Sequence, residues 1–221
     1  MLSRARVPLV YSRAERISDA AVHVAGILSA LIAVPVLITL SVVWFGDPGT
    51  VMAASVYGAT LLAMFCCSAV YNIVALPNWK DVLRRVDQSA IYLKIAGTYT
   101  PIAVMTGTSA GLFLTGVWSG ALIGVSMIVL SPARLRWASL ALYLGLGWAG
   151  LVAGQQMMAA LSPEGYALIL TGGVLYTLGV VFFLWERLPF HNTIWHVFVL
   201  AATWIIYAAV LLEFATHATV R

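Results

Sequence analysis

The sequence predicts an all-α membrane protein: a bundle of seven transmembrane helices with the N-terminus cytoplasmic and the C-terminus outside. Three observations lead there. Of the 221 residues, 62% are hydrophobic and only 9% charged, with a mean hydropathy of +0.97, too apolar for one soluble core under a polar skin. The apolar stretches are helix-length runs rather than alternating segments of about ten residues, which sets a transmembrane β-barrel aside. The lysines and arginines collect in every second break between those runs, the pattern that membrane insertion imposes.

The predicted spans are 20–45, 51–75, 88–106, 111–130, 137–154, 166–185 and 193–213, each long enough to cross about 30 Å at about 1.5 Å per residue. Turn chemistry separates them: GDPG after Phe45, LPNWKD after Ala75, TGTSAG after Met105, SPARLR after Leu130, LSPEG after Ala160 and ERLPFHN after Trp185. No connection is long enough for a second domain, so residues 1–221 read as a single domain. The opening MLSRARVPLVYSRAERISDA is basic and lacks an apolar core followed by a small-residue cleavage site, so it does not read as a removable signal peptide.

Under seven spans, Arg4, Arg6, Arg13 and Arg16 precede the first helix, Lys80, Arg84 and Arg85 lie in the second loop, Arg134 and Arg136 in the fourth and Arg187 in the sixth. Only Arg221 falls on the other side, and Lys94 is inside a helix. The basic side is expected to be cytoplasmic. Trp79, Trp137, Trp185 and Trp195 stand near that face, where interfacial aromatics concentrate. The net charge of +4 therefore reports orientation, and no nucleic-acid partner is expected. The expected partner is membrane lipid. Cys66 and Cys67 are adjacent, a spacing that strains a mutual bridge, and they say nothing about redox compartment.

The polar residues of the spans converge at the cytoplasmic level. Glu15, Asp19 and His23 are each four apart and project from one face if the first helix extends back that far. Ser68 and Asn72, four apart, leave the second helix. Asp87 enters the third, and Lys94, seven later, returns to nearly the same face. Asn192 and His196, four apart, enter the seventh. His191 lies five positions from His196, about 140° around the helix, and reads as an interfacial histidine outside the set.

Each residue also has a plainer explanation. Asp87 could cap its helix, Lys94 could snorkel to the headgroups, and the Glu15, Asp19, His23 triplet could be a hydrated helix start. Four helices bringing such groups to one depth favours a functional polar pocket. Gly116, Gly120 and Gly124 recur every four residues and read as a close-packing face, while Glu213 lies near the opposite membrane face.

Taken together, ERISDAAVH, CCSAVYN, RRVDQSAIYLKIAGTYTP and NTIWHVFVLAA resemble the bacterial hemolysin III branch of the progestin and adipoQ receptor family, itself related to alkaline ceramidases. The resemblance spans essentially the whole chain. It implies seven helices with a cytoplasmic N-terminus and either zinc-dependent lipid amide hydrolysis or lipid sensing, with the bacterial branch linked to cytolysis and membrane lipid homeostasis. The zinc pattern it implies is a serine and a histidine four apart on helix 2, an aspartate opening helix 3 and two histidines four apart on helix 7. Ser68, Asp87 and His196 match, with Asp87 and Ser68 as the catalytic candidates, but Asn72 and Asn192 stand at two of the three histidine positions. An amide oxygen is a poor zinc ligand, so His196 alone is not expected to hold the metal, and no cofactor is expected unless Asp19, His23 and Asp87 rebuild a zinc site with it.

Three readings follow: a lipid-sensing or lipid-binding protein of the bacterial inner membrane with a degenerate zinc site, a metal-dependent lipid amide or ester hydrolase with unusual ligands, or a proton-linked transporter relaying through Asp19, His23, Asp87 and Lys94.

Overall fold

The computed structural model describes residues 11–74, 76–107, 110–130 and 135–219, and these are all helical apart from the connections. Arg4, Arg6, Arg134 and Arg221, on which part of the orientation argument rests, lie outside the described residues. The helices are α1 (Arg13–Trp44), α2 (Pro48–Ile73), α3 (Lys80–Met105), α4 (Gly111–Leu130), α5 (Arg136–Val152), the short α6 (Gln155–Ala159), α7 (Pro163–Leu184) and α8 (His191–Thr219), with a 3₁₀ turn at Pro77–Trp79. Five of them, α1, α2, α4, α7 and α8, are long and apolar enough to cross a membrane. α5 has 17 residues and α3 carries charges over its first turns, which is why these two do not stand out by length and composition.

Helix starts follow local chemistry. Ser12 caps α1 in a reciprocal box: its hydroxyl accepts from Glu15 N at 3.2 Å, and Glu15 Oε2 accepts from Ser12 N at 2.7 Å. The box starts α1 at Arg13, seven residues before the apolar run. In the GDPG turn Gly46 takes φ +66°, Asp47 accepts from Thr50 N at 2.9 Å, and Pro48 occupies the first turn of α2. Ser162 and Pro163 repeat that arrangement at α7. α3 begins at Lys80 rather than 88 because its first two turns are amphipathic, with Lys80, Asp81 and Arg84 exposed, so an apolar window misses them.

Successive helices pack as neighbours from α1 through α5, α7 packs on α8, and α8 returns to α1, closing the ring. α3 touches α2, α4, α5 and α8 and so forms the middle of the bundle. Leu37, Tyr57, Leu61, Ile102, Val210 and Phe214 fill its core. Val24, Leu28, Ile32, Leu122 and Val181 point outward, as lipid-facing residues must.

Close approach is bought with glycine at two positions of the α4 series. A Cβ on Gly124 would collide with the Tyr92 ring, itself pinned by a 2.6 Å hydrogen bond from its hydroxyl to Ser139 O, and one on Gly120 would press on Leu146. Gly116 faces open space, so the three do not form one packing face. Gly124→Ala is therefore expected to lower stability by about 1–3 kcal/mol, whereas Gly116→Ala should be neutral or gain up to about 1 kcal/mol from helix propensity. Thermal unfolding in one detergent checks both, and equal losses would contradict the assignment.

Candidate functional site

One pocket opens among α1, α2, α3, α5, α7 and α8, and polar groups from α1, α2, α3, α7 and α8 face it. Its walls include His23, Ser68, Asp87, Tyr176, Trp195 and His196, with Met64, Phe65, Ile91, Tyr143, Val199 and Leu200 supplying most of the surface. About 530 Å³ of space lies between these walls, open mouth included. The enclosed part is about 50 Å³, room for a few water-sized groups.

Asp19 organises the polar end. Its Oδ1 accepts from His196 Nδ1 at 2.6 Å, which fixes the tautomer and leaves Nε2 as the ring's remaining atom. Its Oδ2 accepts from Asn192 Nδ2 at 3.3 Å and lies 3.5 Å from His23 Nε2. The four-residue spacings of α1 and α8 thus put two pairs on facing stripes: Asp19 with His23, Asn192 with His196. The His23 and His196 rings are 4.4 Å apart, centre to centre. His23 is 3% exposed, and its Nε2 has no well-aligned hydrogen-bond partner among the described residues. Helix α2 contributes Asn72, whose Nδ2 donates to Ser68 O at 2.9 Å and whose Oδ1 accepts from Asn192 Nδ2 at 3.4 Å. The Ser68 hydroxyl, 3.5 Å from Asn72 Nδ2, lines the pocket together with Asp87.

The remaining candidates are placed differently from one another. Asp87 sits two turns inside α3, whose cap residue is Trp79, so it is not a helix cap. Glu15 does not line the pocket: besides Ser12 N it accepts from Phe190 N at 2.9 Å, holding the left-handed Phe190 (φ 59°) and with it the turn that leads into α8. Lys94 is buried rather than snorkelling, and stands behind the wall, donating to the Tyr176 hydroxyl at 2.7 Å. His191 is buried too, against Tyr11, whose hydroxyl lies 3.2 Å from its Nε2; burial raises the Tyr11 pKa. Trp195 is a correction. It is buried in the pocket wall against Phe183 rather than interfacial, unlike the exposed Trp79, Trp137 and Trp185. Tyr176 and Thr203, which share a hydrogen bond, are site residues that the spacing argument missed. A phenol in an otherwise apolar helix needs a partner, and that was the available signal.

Two ligand sets can be tested for metal. The set implied by resemblance does not fit zinc, because Asn72 and Asn192 are amides bonded to each other. Asp19, His23 and His196 fit better: one ligand atom from each lies within 4.8 Å of the others, all three residues are buried, and the cluster could hold a metal ion.

Losing Asp19 would leave His196 Nδ1 buried without its acceptor, so Asp19→Ala is expected to cost about 1–3 kcal/mol. Asp19→Asn should cost less, since its amide oxygen still accepts. Thermal unfolding of the two variants measures this, and an unaffected Asp19→Ala protein would contradict the central role given to this bond.

Known proteins with similar sequences agree with this architecture. The family described as Haemolysin-III related matches residues 13–207. A Hemolysin-3 homolog of Bacillus subtilis (strain 168) is 34% identical over 199 residues, covering 89% of this chain and 93% of its own length. Hemolysin-3 of Bacillus cereus is 35% identical over 201 residues, covering 89% and 90%. The human monocyte to macrophage differentiation factor is 31% identical over 170 residues, 72% of this chain and 69% of its own, and supports the wider progestin and adipoQ receptor relationship. The apolar helices and these matches make the protein a multi-pass membrane protein, and the chain belongs to the haemolysin-III related family.

Proposed function

We propose that this protein crosses the bacterial inner membrane seven times, N-terminus inside, and binds or senses lipid in the pocket near its cytoplasmic face, serving membrane lipid homeostasis with a metal site that has degenerated. The observation that carries this reading is the hydrogen bond between Asn192 and Asn72, which stand outside the lining of the mostly apolar pocket but bond to its Ser68 and, through Asp19, its His196. Two amides there make a polar contact that needs no ion, while the pocket walls remain suited to an acyl chain. A second reading, a metal-dependent lipid hydrolase, is favoured by the Asp19, His23, His196 cluster. There the three side chains would hold the ion, which would activate a water, while Asp87 and Ser68 in the same pocket wall would orient the substrate. The name Hemolysin-3 borne by two relatives extends to this chain a third, lytic possibility, for which the pocket offers no feature.

Lipid binding is tested with a photoactivatable single-chain lipid in nanodiscs: label should saturate and map to peptides containing Trp195 and Leu200, and Ile91→Trp, which fills the pocket, should abolish it. Unsaturable label spread over the outer face would refute the pocket.

Orientation is tested with a periplasm-dependent reporter, expected to be active when inserted at Pro48 or fused after Arg221 and silent in the loop at Lys80. Activity at Lys80 would invert the topology.

The degenerate site makes a further expectation. After mild chelation the unmodified chain should retain no stoichiometric zinc by elemental analysis, while the double change Asn72→His and Asn192→His should bring it to about one zinc per chain, since these positions already touch and His196 shares their face. Stoichiometric zinc in the unmodified chain that is lost in His23→Ala would establish the second reading instead.

A further inference from the structure

Lys94 is the one buried lysine among the described residues, 3% exposed at the middle of α3, and among those residues no carboxylate forms an ion pair with it. Its ammonium has three donors. One goes to the Tyr176 hydroxyl at 2.7 Å, with the same ring 4.5 Å from Nζ, centre to nitrogen. The other two have no acceptor among the described residues. A cation buried with one neutral partner is costly unless an anion or strong dipole completes it.

The acids of the bundle do not serve. Asp87 is seven residues away on α3, about 10 Å along the axis, and makes no ion pair with Lys94 among the described residues. Asp19 is held by His196 and Asn192. Glu213 is at the far end of α8, accepting from Ser162 N at 3.1 Å. What does lie beside Lys94 is the pocket, one hydrogen bond away through Tyr176, which forms part of its wall.

Resting on the lipid-pocket reading, we infer that Lys94 and Tyr176 form an oxyanion subsite in the deep wall of the pocket, which selects single-chain amphiphiles bearing a negatively charged phosphate or carboxylate head. The chemistry is directional. An ammonium can only donate, so the Tyr176 oxygen accepts from Lys94, and when Thr203 also donates to it the phenol proton is free for an oxygen in the pocket. The charge behind the phenol strengthens that donor. The apolar walls formed by Ile91, Val199 and Leu200 fit the first carbons of a chain, which a headless anion would leave empty. The Lys94 charge therefore acts on the pocket through Tyr176, about 10 Å along α3 from the Asp87 carboxylate.

The test uses the full chain in phosphatidylcholine nanodiscs, with bound ligand counted by native mass spectrometry over a concentration series of dodecyl phosphate, its uncharged twin dodecanol, and inorganic phosphate. Dodecyl phosphate should saturate and bind at least tenfold more tightly than dodecanol, with inorganic phosphate not competing. Lys94→Met should erase that preference, and Lys94→Arg, which keeps the charge, should retain most of it. Melting temperature supplies a second measurement: without ligand Lys94→Met should melt higher than the unmodified chain, since an incompletely paired buried cation is gone, and dodecyl phosphate should raise the melting point of the unmodified chain and of Lys94→Arg but not of Lys94→Met.

Equal affinity for dodecanol and dodecyl phosphate in the unmodified chain overturns the subsite while leaving the lipid pocket standing. So does a preference that survives Lys94→Met, or one lost in Lys94→Arg as fully as in Lys94→Met. Inorganic phosphate binding as tightly as dodecyl phosphate overturns the amphiphile assignment. No binding of either amphiphile overturns the subsite and the lipid pocket together.

Discussion

The 2.6 Å hydrogen bond from His196 to Asp19 joins the last helix to the first and closes the bundle around its polar pocket. In hydrocarbon every polar group must find its partner inside the protein, and this carboxylate answers for groups on both helices: His196 and Asn192 on α8, with His23 on its own helix. Asn192 then reaches Asn72 on α2, so one acid ties three helices at one depth. The Glu15 contact to Phe190 N fixes the same two helices a turn further out. Glu213 makes a separate closure at the other end, where it holds Ser162 at the start of α7.

That arrangement separates two kinds of polarity in the pocket. Near Asp19, the carboxylate is satisfied by His196 and Asn192, with only His23 Nε2 left without a well-aligned partner, and the stabilisation is largely internal. Around Lys94 the donors outnumber the acceptors. A site of the first kind keeps a fold in register, whereas one of the second kind has unspent capacity for a ligand. The haemolysin-III related fold accommodates both because α3, at the middle of the ring, carries Asp87 and Lys94 two turns apart on nearly one face.

Much of this was legible in the chain. Four-residue spacing brought Asp19 beside His23 and Asn192 beside His196, and seven-residue spacing put Asp87 and Lys94 on a common side, because a helix preserves such relations whatever surrounds it. The capping box at Ser12 and Glu15 also follows from local chemistry, although the apolar window used to place the first helix started later. What spacing could not supply was the pairing between helices. Nothing in α7 alone says that Tyr176 meets Lys94, or that Trp195 turns inward while Trp185 turns out. Those choices depend on the rotation of each helix within the bundle, set by packing such as Gly124 against Tyr92. The early start of α3 was hidden because its charged turns are amphipathic.

The length of α1 has a consequence for how the pocket meets its surroundings. Thirty-two residues span about 48 Å, against a hydrocarbon core of about 30 Å, so a helix centred on the bilayer overhangs by about 9 Å at each end. Asp19, six residues or about 9 Å from the helix start at Arg13, then stands at the boundary between acyl chains and headgroups. Protons reaching it are drawn from that thin layer, whose acidity follows the surface potential: at about −30 mV it lies roughly half a pH unit below the bulk. In the proposed orientation, the lipid charge of the cytoplasmic leaflet thereby sets the field in which the carboxylate of Asp19 stands.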